Sequence, residues 1–457
     1  MSRVRGVLIA GGAVAMAVVA LVVAVGVPVP RSVFDPASLL PAGMNETHAS
    51  IWYRPLSRSV VVRNLMLREG RRVVATASRV ALDGYRRDGA VVRVRAGELR
   101  NLHWVGEDGF DLTVASGHLQ GLVAPVSLGN AAGWRAWAEG LIWRRAGLDQ
   151  AKVQIPHASL AVNSLDVADY HEGAIGRASV AQAAFGVMAN KNVAFELKVG
   201  TIDIQDERPF WLQTRRFYTE DAGILREALH PGQPNRLVAT QISEQIGLVL
   251  LRVARLAGAT QYDNAGNLRG DSTITGGVAE ATTPRTAAAL RETIGQDQVQ
   301  FAGEFAAAFD RAQDQWTLGP ARIVASGLGT LTFSLAEQII PSELQAGTMK
   351  GEVLQNAQLQ WRDQGLTDRL LAAGAKRRQI SLDQMREGAE QAARGMGGLL
   401  PGQADFANQL VSFIDIPGTL AITIDPPVPM EFAALAGVKR QDLPGVLGLT
   451  VSYKGPP

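Results

Sequence analysis

Apolar and polar residues alternate over short stretches along most of this chain, which is strand periodicity. Phe110, Leu112 and Val114 alternate with Asp111 and Thr113, and Val193, Phe195, Leu197 and Val199 alternate with Ala194, Glu196 and Lys198. Leu331, Phe333 and Leu335 follow the same rule, as do Leu420, Ile422 and Ile424, and Leu449, Val451 and Tyr453 close the chain in that register. Strands with one dry and one wet face predict antiparallel sheets, because parallel sheets covered on both faces show continuous apolar runs. A loose phrase also recurs, a small residue followed by aliphatics, at Ala77, Val80 and Leu82, at Ala151, Val153 and Ile155, and at Ala357, Leu359 and Trp361. Its copies are irregularly spaced, so it marks a kind of strand and not a repeat of fixed period.

Helical spacing interrupts the alternation. Asn130 is a good N-cap for a helix over 131–145, with Trp134, Ala138 and Leu141 on one face. Ile242, Ile246, Val249, Val253 and Leu256 fall at helical offsets and predict a buried helix over 240–257. A shorter helix is expected over 283–295, starting near Pro284. Residues 366–397 predict two helices, the second opened by Ser381 and Gln384 in capping-box register and stopped by Gly395, Gly397 and Gly398.

One segment departs from both patterns. From Val7 to Val29 the chain is apolar, broken only by Pro28, and the stretch before that proline is long enough for a hydrocarbon core of about 30 Å. Arg3 and Arg5 precede it, which by the positive-inside rule leaves the N-terminus in the cytoplasm and sends the body into the periplasm. A cleaved signal peptide, cut after the small residues Ala24 and Gly26, is the competing reading. The expected fold class is therefore α+β, predominantly β: an N-terminal transmembrane helix followed by curved antiparallel sheets with helical insertions. The expected domains are an anchor over 1–30, a first β-rich unit with one helix over 31–210, and a second β-rich unit with helical insertions over 211–457.

Charge and composition narrow the chemistry. The net charge is +2, yet residues 31–160 hold 17 Lys and Arg against 11 Asp and Glu, and residues 161–457 hold 26 against 32. A basic first part could face anionic lipid or be a solvated arginine-rich surface, and nucleic acid is not an expected partner. The chain has no cysteine, which excludes disulfides, thiolate metal sites and cysteine nucleophiles.

The six histidines, His48, His103, His118, His157, His171 and His230, stand singly, without metal-ligand spacing. Asp203, Asp206 and Glu207 could offer paired carboxylates but read as a solvated strand exit. Asp263 to Asn267 reads as a turn, since it lacks a calcium loop's spacing. The run Gly395-Met396-Gly397-Gly398 follows a helix, so it is no phosphate cradle. Trp134, Trp137 and Trp143 with Arg135, Arg144 and Arg145 form the most distinctive cluster, either a core helix or an interfacial one. No catalytic, cofactor-binding or metal-binding residues are assigned, and no enzymatic activity or cofactor is expected.

The segment Ile51-Trp-Tyr-Arg-Pro-Leu-Ser-Arg-Ser-Val-Val-Val-Arg-Asn-Leu-Met-Leu, behind the apolar run, resembles the opening of Gram-negative envelope proteins of the AsmA-like and YdgA-like kind. The segment Trp361-Arg-Asp-Gln-Gly-Leu-Thr-Asp-Arg-Leu-Leu resembles the strand-to-helix step of YdgA-like proteins. The resemblance implies a β-rich periplasmic body held at the inner membrane. For AsmA-like members it implies a hydrophobic groove connected with phospholipid and envelope homeostasis. The expected function is lipid binding or envelope homeostasis, with a non-enzymatic scaffold for a membrane complex as the alternative and an enzyme acting on an envelope polymer behind it. Expected partners are the membrane, a phospholipid in an apolar groove and other envelope proteins.

Overall fold

The computed structural model describes residues 44–54, 58–89, 91–106, 109–125, 141–171, 174–189, 192–207, 235–263, 265, 267–339, 351–399, 404–435, 437–439 and 442–456. Strands take 65% of the described residues and helices 18%, so the fold is predominantly β. The chain divides into two compact units: Met1–Arg215 with Asn235–Glu244, and Arg216–Pro234 with Gln245–Pro457.

Unit one is an antiparallel meander. Its strands are β1 (Met44–Thr47), β2 (Ser50–Arg54), β3 (Ser59–Glu69), β4 (Arg72–Asp83), β5 (Arg86–Asp88), β6 (Val91–Val105), β7 (Asp111–Pro125), β8 (Ile142–Ile155), β9 (Ala158–His171), β10 (Ala174–Ala189), β11 (Asn192–Glu207) and the start of β12 (Asn235–Ile246). β1 and β2 both pair with β3, β3 with β4, β4 and the short β5 with β6, and from β6 to β11 each strand pairs with the next. A hydrogen bond of 2.7 Å between the Thr201 and Thr240 hydroxyls places β12 beside β11.

These strands do not keep simple alternation from end to end. Buried positions advance by two and then, at one level, by three: Val62 to Leu65, Ala77 to Val80, Leu99 to Leu102, Val114 to Gly117. At each step two consecutive residues point outward, and one of them stands outside the ladder. Arg100 pairs with Ser116 and Leu102 with Val114, leaving Asn101 and Ala115 unpaired between them. The same gap opens at Gln150 on β8, at Asn163 on β9 and at Gln182 on β10, in register across the sheet. Asn64, Asn101, Gln150, Gln182 and Gln241 take left-handed backbone, with φ from 49° to 51°. A second such line crosses β6 to β10 through Arg95, Gly121, Arg144, Asp169 and Gly176, with positive φ at Gly121 and Asp169.

A residue outside the ladder bends its strand and raises its twist. Because the irregularities are opposite one another, the bends add into two creases. On the inner side, Leu99, Leu112 and Val114 are each 1% exposed. So thorough a burial requires cover, and among the described residues of unit one the elements available are the sheet's own panels.

Unit two starts with β13 (Val249–Tyr262), β14 (Leu268–Ala281) and helix α1 (Pro284–Ile294), then β15 (Gln298–Asp310), β16 (Gln315–Ala325), β17 (Gly329–Ile339) and β18 (Glu352–Asp363). Helices α2 (Leu366–Arg378), α3 (Leu382–Leu399) and α4 (Ala404–Asp415) follow, then β19 (Thr419–Ile424), β20 (Met430–Glu431), the short α5 (Phe432–Leu435) and α6 (Leu443–Val446), and β21 (Thr450–Lys454). β13 to β19 pair antiparallel in chain order, β20 adds to β18, and β21 pairs with β19.

The helices at 283–295 and beyond 366 form where the capping signals place them. Thr283 accepts from the Thr286 amide, Pro284 opens α1, and Gly295 closes it in left-handed conformation. Ser381 and Gln384 exchange side-chain to backbone hydrogen bonds of 3.0 and 3.1 Å at the head of α3. That helix runs on through Gly395, Gly397 and Gly398 to Leu399, so these glycines do not stop it.

Three expectations are corrected. The expected fold class, with its transmembrane helix, gives way to a predominantly β fold in which, among the described residues, no helix is long and apolar enough to cross a membrane. The longest, α3, carries Asp383, Arg386, Glu387, Glu390 and Arg394. Residues 1–43, with the apolar run, lie outside the described residues. The helix expected over 240–257 is instead two strands separated by Gly247 and Leu248, with Gly247 at φ 58°. Its Ile and Val residues satisfy helical offsets by coincidence, and a glycine turn inside a β-branched run favours strands. Of the helix expected over 131–145, residues 131–140 lie outside the described residues, and Ile142 to Arg145 belong to β8.

The creases make a stability prediction. A left-handed backbone costs an L residue about 1–2 kcal/mol, and most for β-branched side chains. Gln150→Gly should therefore be neutral or stabilising by up to about 1 kcal/mol, whereas Gln150→Val should destabilise by at least about 1 kcal/mol. Leu99→Ala, on the sealed inner face, should cost about 2–5 kcal/mol. Urea denaturation of the three variants measures all of these differences.

Candidate functional site

The inner face of unit two is apolar across eight strands. One row runs Leu256, Ile274, Gly303, Ile323, Leu331, Trp361, Leu420, Tyr453, each residue the ladder partner of the next. A second runs Ala321, Phe333, Leu359, Ile422, Val451. At about 4.8 Å between strands, the first row spans about 34 Å.

Packing on this face differs from that in unit one. Ile274, Ile323, Leu331, Phe333, Trp361 and Leu420 are half-buried, and Leu359 is 43% exposed. Three aromatic rings lie against glycines, Phe301 against Gly277 and Trp361 against Gly329 of the neighbouring strand and Phe305 against Gly303 of its own, where an added Cβ would stand within 3.0 Å of the ring. The two rows together form a continuous apolar face whose side chains are, among the described residues, mostly half-buried rather than sealed. The opposite face bears Arg252, Asp271, Glu304, Arg322, Thr332 and Gln358 at the alternate positions.

The edges of the face are built from specific contacts. At β21, Phe413 of α4 meets Tyr453 edge-on at 6.3 Å, and Gln409 accepts from the Tyr453 amide at 2.7 Å. At the other end of the strands, Leu268 and Phe309 form a buried cluster with Trp316 packed against it. Glu337 is the ladder partner of Trp316 and stands at this end. Burial pushes its carboxyl above the ordinary carboxylate range, and the charge of Glu352 adds to the push.

The sequence-level candidates scatter. In unit one His103 contacts Asp111 at 3.2 Å, and His118 contacts Asp166 at 3.3 Å while lying over Gly147. His171 reaches only the backbone oxygen of Asp169, His48 and His157 are exposed in connections, and His230 lies outside the described residues. Asp203 faces Arg177 at 3.8 Å; the side chains of Asp206 and Glu207 lie outside the described residues. Asp263 accepts from the Ala265 and Asn267 amides, as a turn requires. Of the tryptophan and arginine cluster, Trp134, Arg135 and Trp137 lie outside the described residues. Trp143 is buried and stacked on Tyr170 at 3.9 Å, and Arg145 holds Asp166 at 2.8 Å. Among the described residues no group of three or more His, Cys, Asp or Glu side chains is placed to hold a metal ion.

Both segments that carry the envelope resemblance are structured. β2 and β3 pair across residues 55–57, which lie outside the described residues. At the strand-to-helix step, Asp363 accepts from the Gly365 amide at 2.7 Å, the Thr367 amide at 3.1 Å and the Trp361 indole at 3.3 Å, tying the end of β18 to the first turn of α2.

The architecture defines a class, an antiparallel β protein of two units with helices appended to the second. A protein-family model described as "Uncharacterized protein" matches residues 263–454, the greater part of unit two. No curated protein matches the chain.

Glu337 gives this end of the face a pH dependence. Its folded pKa is raised, so between the ordinary carboxylate value and the raised one the folded state binds the extra proton, and stability falls as pH rises through that window. Glu337→Gln removes the effect. The variant should be more stable than the parent at about pH 7 by less than about 1 kcal/mol, given its partial exposure, with the gain vanishing below the ordinary carboxylate pKa. Paired urea denaturation curves at acidic and neutral pH measure the difference.

Proposed function

We propose that this chain is a non-enzymatic lipid-handling protein of a bacterial envelope, in which the half-buried apolar face of unit two takes the acyl chains of a phospholipid. The observation that carries the reading is the apolar row from Leu256 to Tyr453, unbroken by any charged residue across eight strands and half-buried throughout most of its length. Acyl chains suit such a surface because they ask for apolar area without matching polar groups. The rings of Phe301, Phe305 and Trp361 supply that area at little conformational cost.

The envelope setting comes from the resemblance of residues 51–67 and 361–371 to AsmA-like and YdgA-like proteins. A place on the periplasmic side of the inner membrane comes from the amino-acid sequence of residues 7–29 alone. Both belong to the proposal.

The test is mass spectrometry of lipids retained by the full chain, compared with a variant carrying Ile274→Lys and Leu331→Lys. Both positions are half-buried, so the charges are tolerated with exposed ammonium ends. Specific phospholipid on the parent and at least about tenfold less on the variant supports the reading. Equal lipid on both, or none on either, overturns it. Recovery of one stoichiometric protein without lipid assigns the face to a scaffold contact.

A further inference from the structure

On the outward side of the first crease in unit one, three arginines stand side by side. Arg63 on β3 is the ladder partner of Arg79 on β4, and Arg79 is the partner of Arg100 on β6. Like charges directly opposite on neighbouring strands repel. Several other arginines at this end of the unit are neutralised: Arg86 and Arg93 by Asp88, Arg95 by Asp83. Among the described residues Arg63, Arg79 and Arg100 have no such partner within salt-bridge distance. The nearest carboxylates of the same outward face are Glu98, two residues along β6 and paired with Ala81 and His118, and Asp149, which accepts from the Ser116 hydroxyl at 2.7 Å.

The row is also held in place. The Ser78 hydroxyl donates to the Arg100 carbonyl at 3.1 Å and accepts from the Asn101 amide at 3.0 Å, fastening β4 to β6 beside the two guanidinium stems. Arg79, in the middle, is half-buried, and its Nε is sealed from solvent without a hydrogen-bond partner among the described residues. Guanidinium groups at strand spacing, about 4.8 Å, match an anion that presents several oxygens, and arginine binds phosphate oxygens in pairs.

We propose that Arg63, Arg79 and Arg100 form a binding site for a phosphate-bearing anion on the outward side of the crease. The ligand carries at least two negative charges, which offset the repulsion among the three cations. Its source is a phospholipid headgroup or a soluble phosphate compound. The site is in unit one and does not depend on the apolar face of unit two.

The test uses the full chain in neutral detergent with inorganic pyrophosphate as the probe, followed by calorimetry. Its variants are the triple Arg63→Gln, Arg79→Gln, Arg100→Gln and a control that removes three charges elsewhere, Arg236→Gln, Arg285→Gln, Arg322→Gln. Saturable binding that weakens at least about tenfold in the first variant and stays within about twofold in the control supports the site. No binding by the parent to pyrophosphate or to vesicles, or equal losses in both variants, overturns it. Thermal melting separates loss of the site from loss of the fold: removing the repulsion should leave the melting temperature of the first variant unchanged or raised. If that variant melts early, the single substitution Arg79→Lys replaces it, keeping the charge and removing the paired donors, and unchanged affinity there overturns the proposal. Flotation with phosphatidylcholine vesicles, with and without phosphatidic acid, names the source. Binding only to acidic vesicles, competed by pyrophosphate, assigns a headgroup, and pyrophosphate binding without flotation assigns a soluble ligand.

Discussion

The phase of the β alternation is the constraint on which unit one depends. A strand that alternates strictly keeps one face inward for its whole length, and a sheet of such strands stays open. Here each long strand slips by one residue at the same level, so the apolar set continues on the same side only because two consecutive residues point outward there. The left-handed backbone of Asn64, Asn101, Gln150 and Gln182 makes the slip possible. Each strained residue costs about 1–2 kcal/mol, and the cost persists because the bend seals Leu99, Leu112, Val114 and their neighbours. Amide side chains recur at these positions because asparagine tolerates left-handed backbone better than most residues and a polar chain belongs on the outer side.

Unit two uses the same antiparallel pairing with different side chains, and its inner face comes out differently. Unit one packs that face with Leu, Val and Ile from its long strands. On this face β14 and β15 offer Gly270, Gly277, Gly303 and Ala307, with the rings of Phe301 and Phe305 against Gly277 and Gly303. Small residues beside the rings send little upward to meet an opposing layer. Half-burial is the consequence, and it is what separates a face available to a ligand from a packed core.

The strand content was legible because period two is a strong signal over stretches such as 110–114 and 331–335. The capping residues Thr283, Ser381 and Gln384 made the helices of unit two equally plain. The creases were missed because they break the period that finds strands. The phrase at Ala77, Val80 and Leu82 contains the slip, since its first interval is three and its second two, but one copy reads as noise. Only the register shows that Asn64, Asn101, Gln150 and Gln182 fall on one line. The segment 240–257 failed for a related reason: Ile242, Ile246, Val249, Val253 and Leu256 suit a helix by offset, and the turn at Gly247 carried less weight than the periodicity. The apolar face of unit two could be read strand by strand as a dry side, but whether anything covers it depends on tertiary packing.

Charge was the least legible property at the level where it acts. The excess of Lys and Arg over residues 31–160 is modest for its length, and composition alone favours a solvated surface. Strand pairing sets two groups of those arginines apart. Arg86, Arg93 and Arg95 fall beside Asp83 and Asp88 in short hairpin contacts, where their charge is spent locally. Arg63, Arg79 and Arg100 are drawn together from positions 16 and 21 residues apart by the same slip that bends the sheet. The crease turns two residues outward on each strand, and in β3, β4 and β6 one of the two is arginine. A bend needed to seal the inner face thus decides what is concentrated on the outer one, and the two faces of the crease cannot be altered independently.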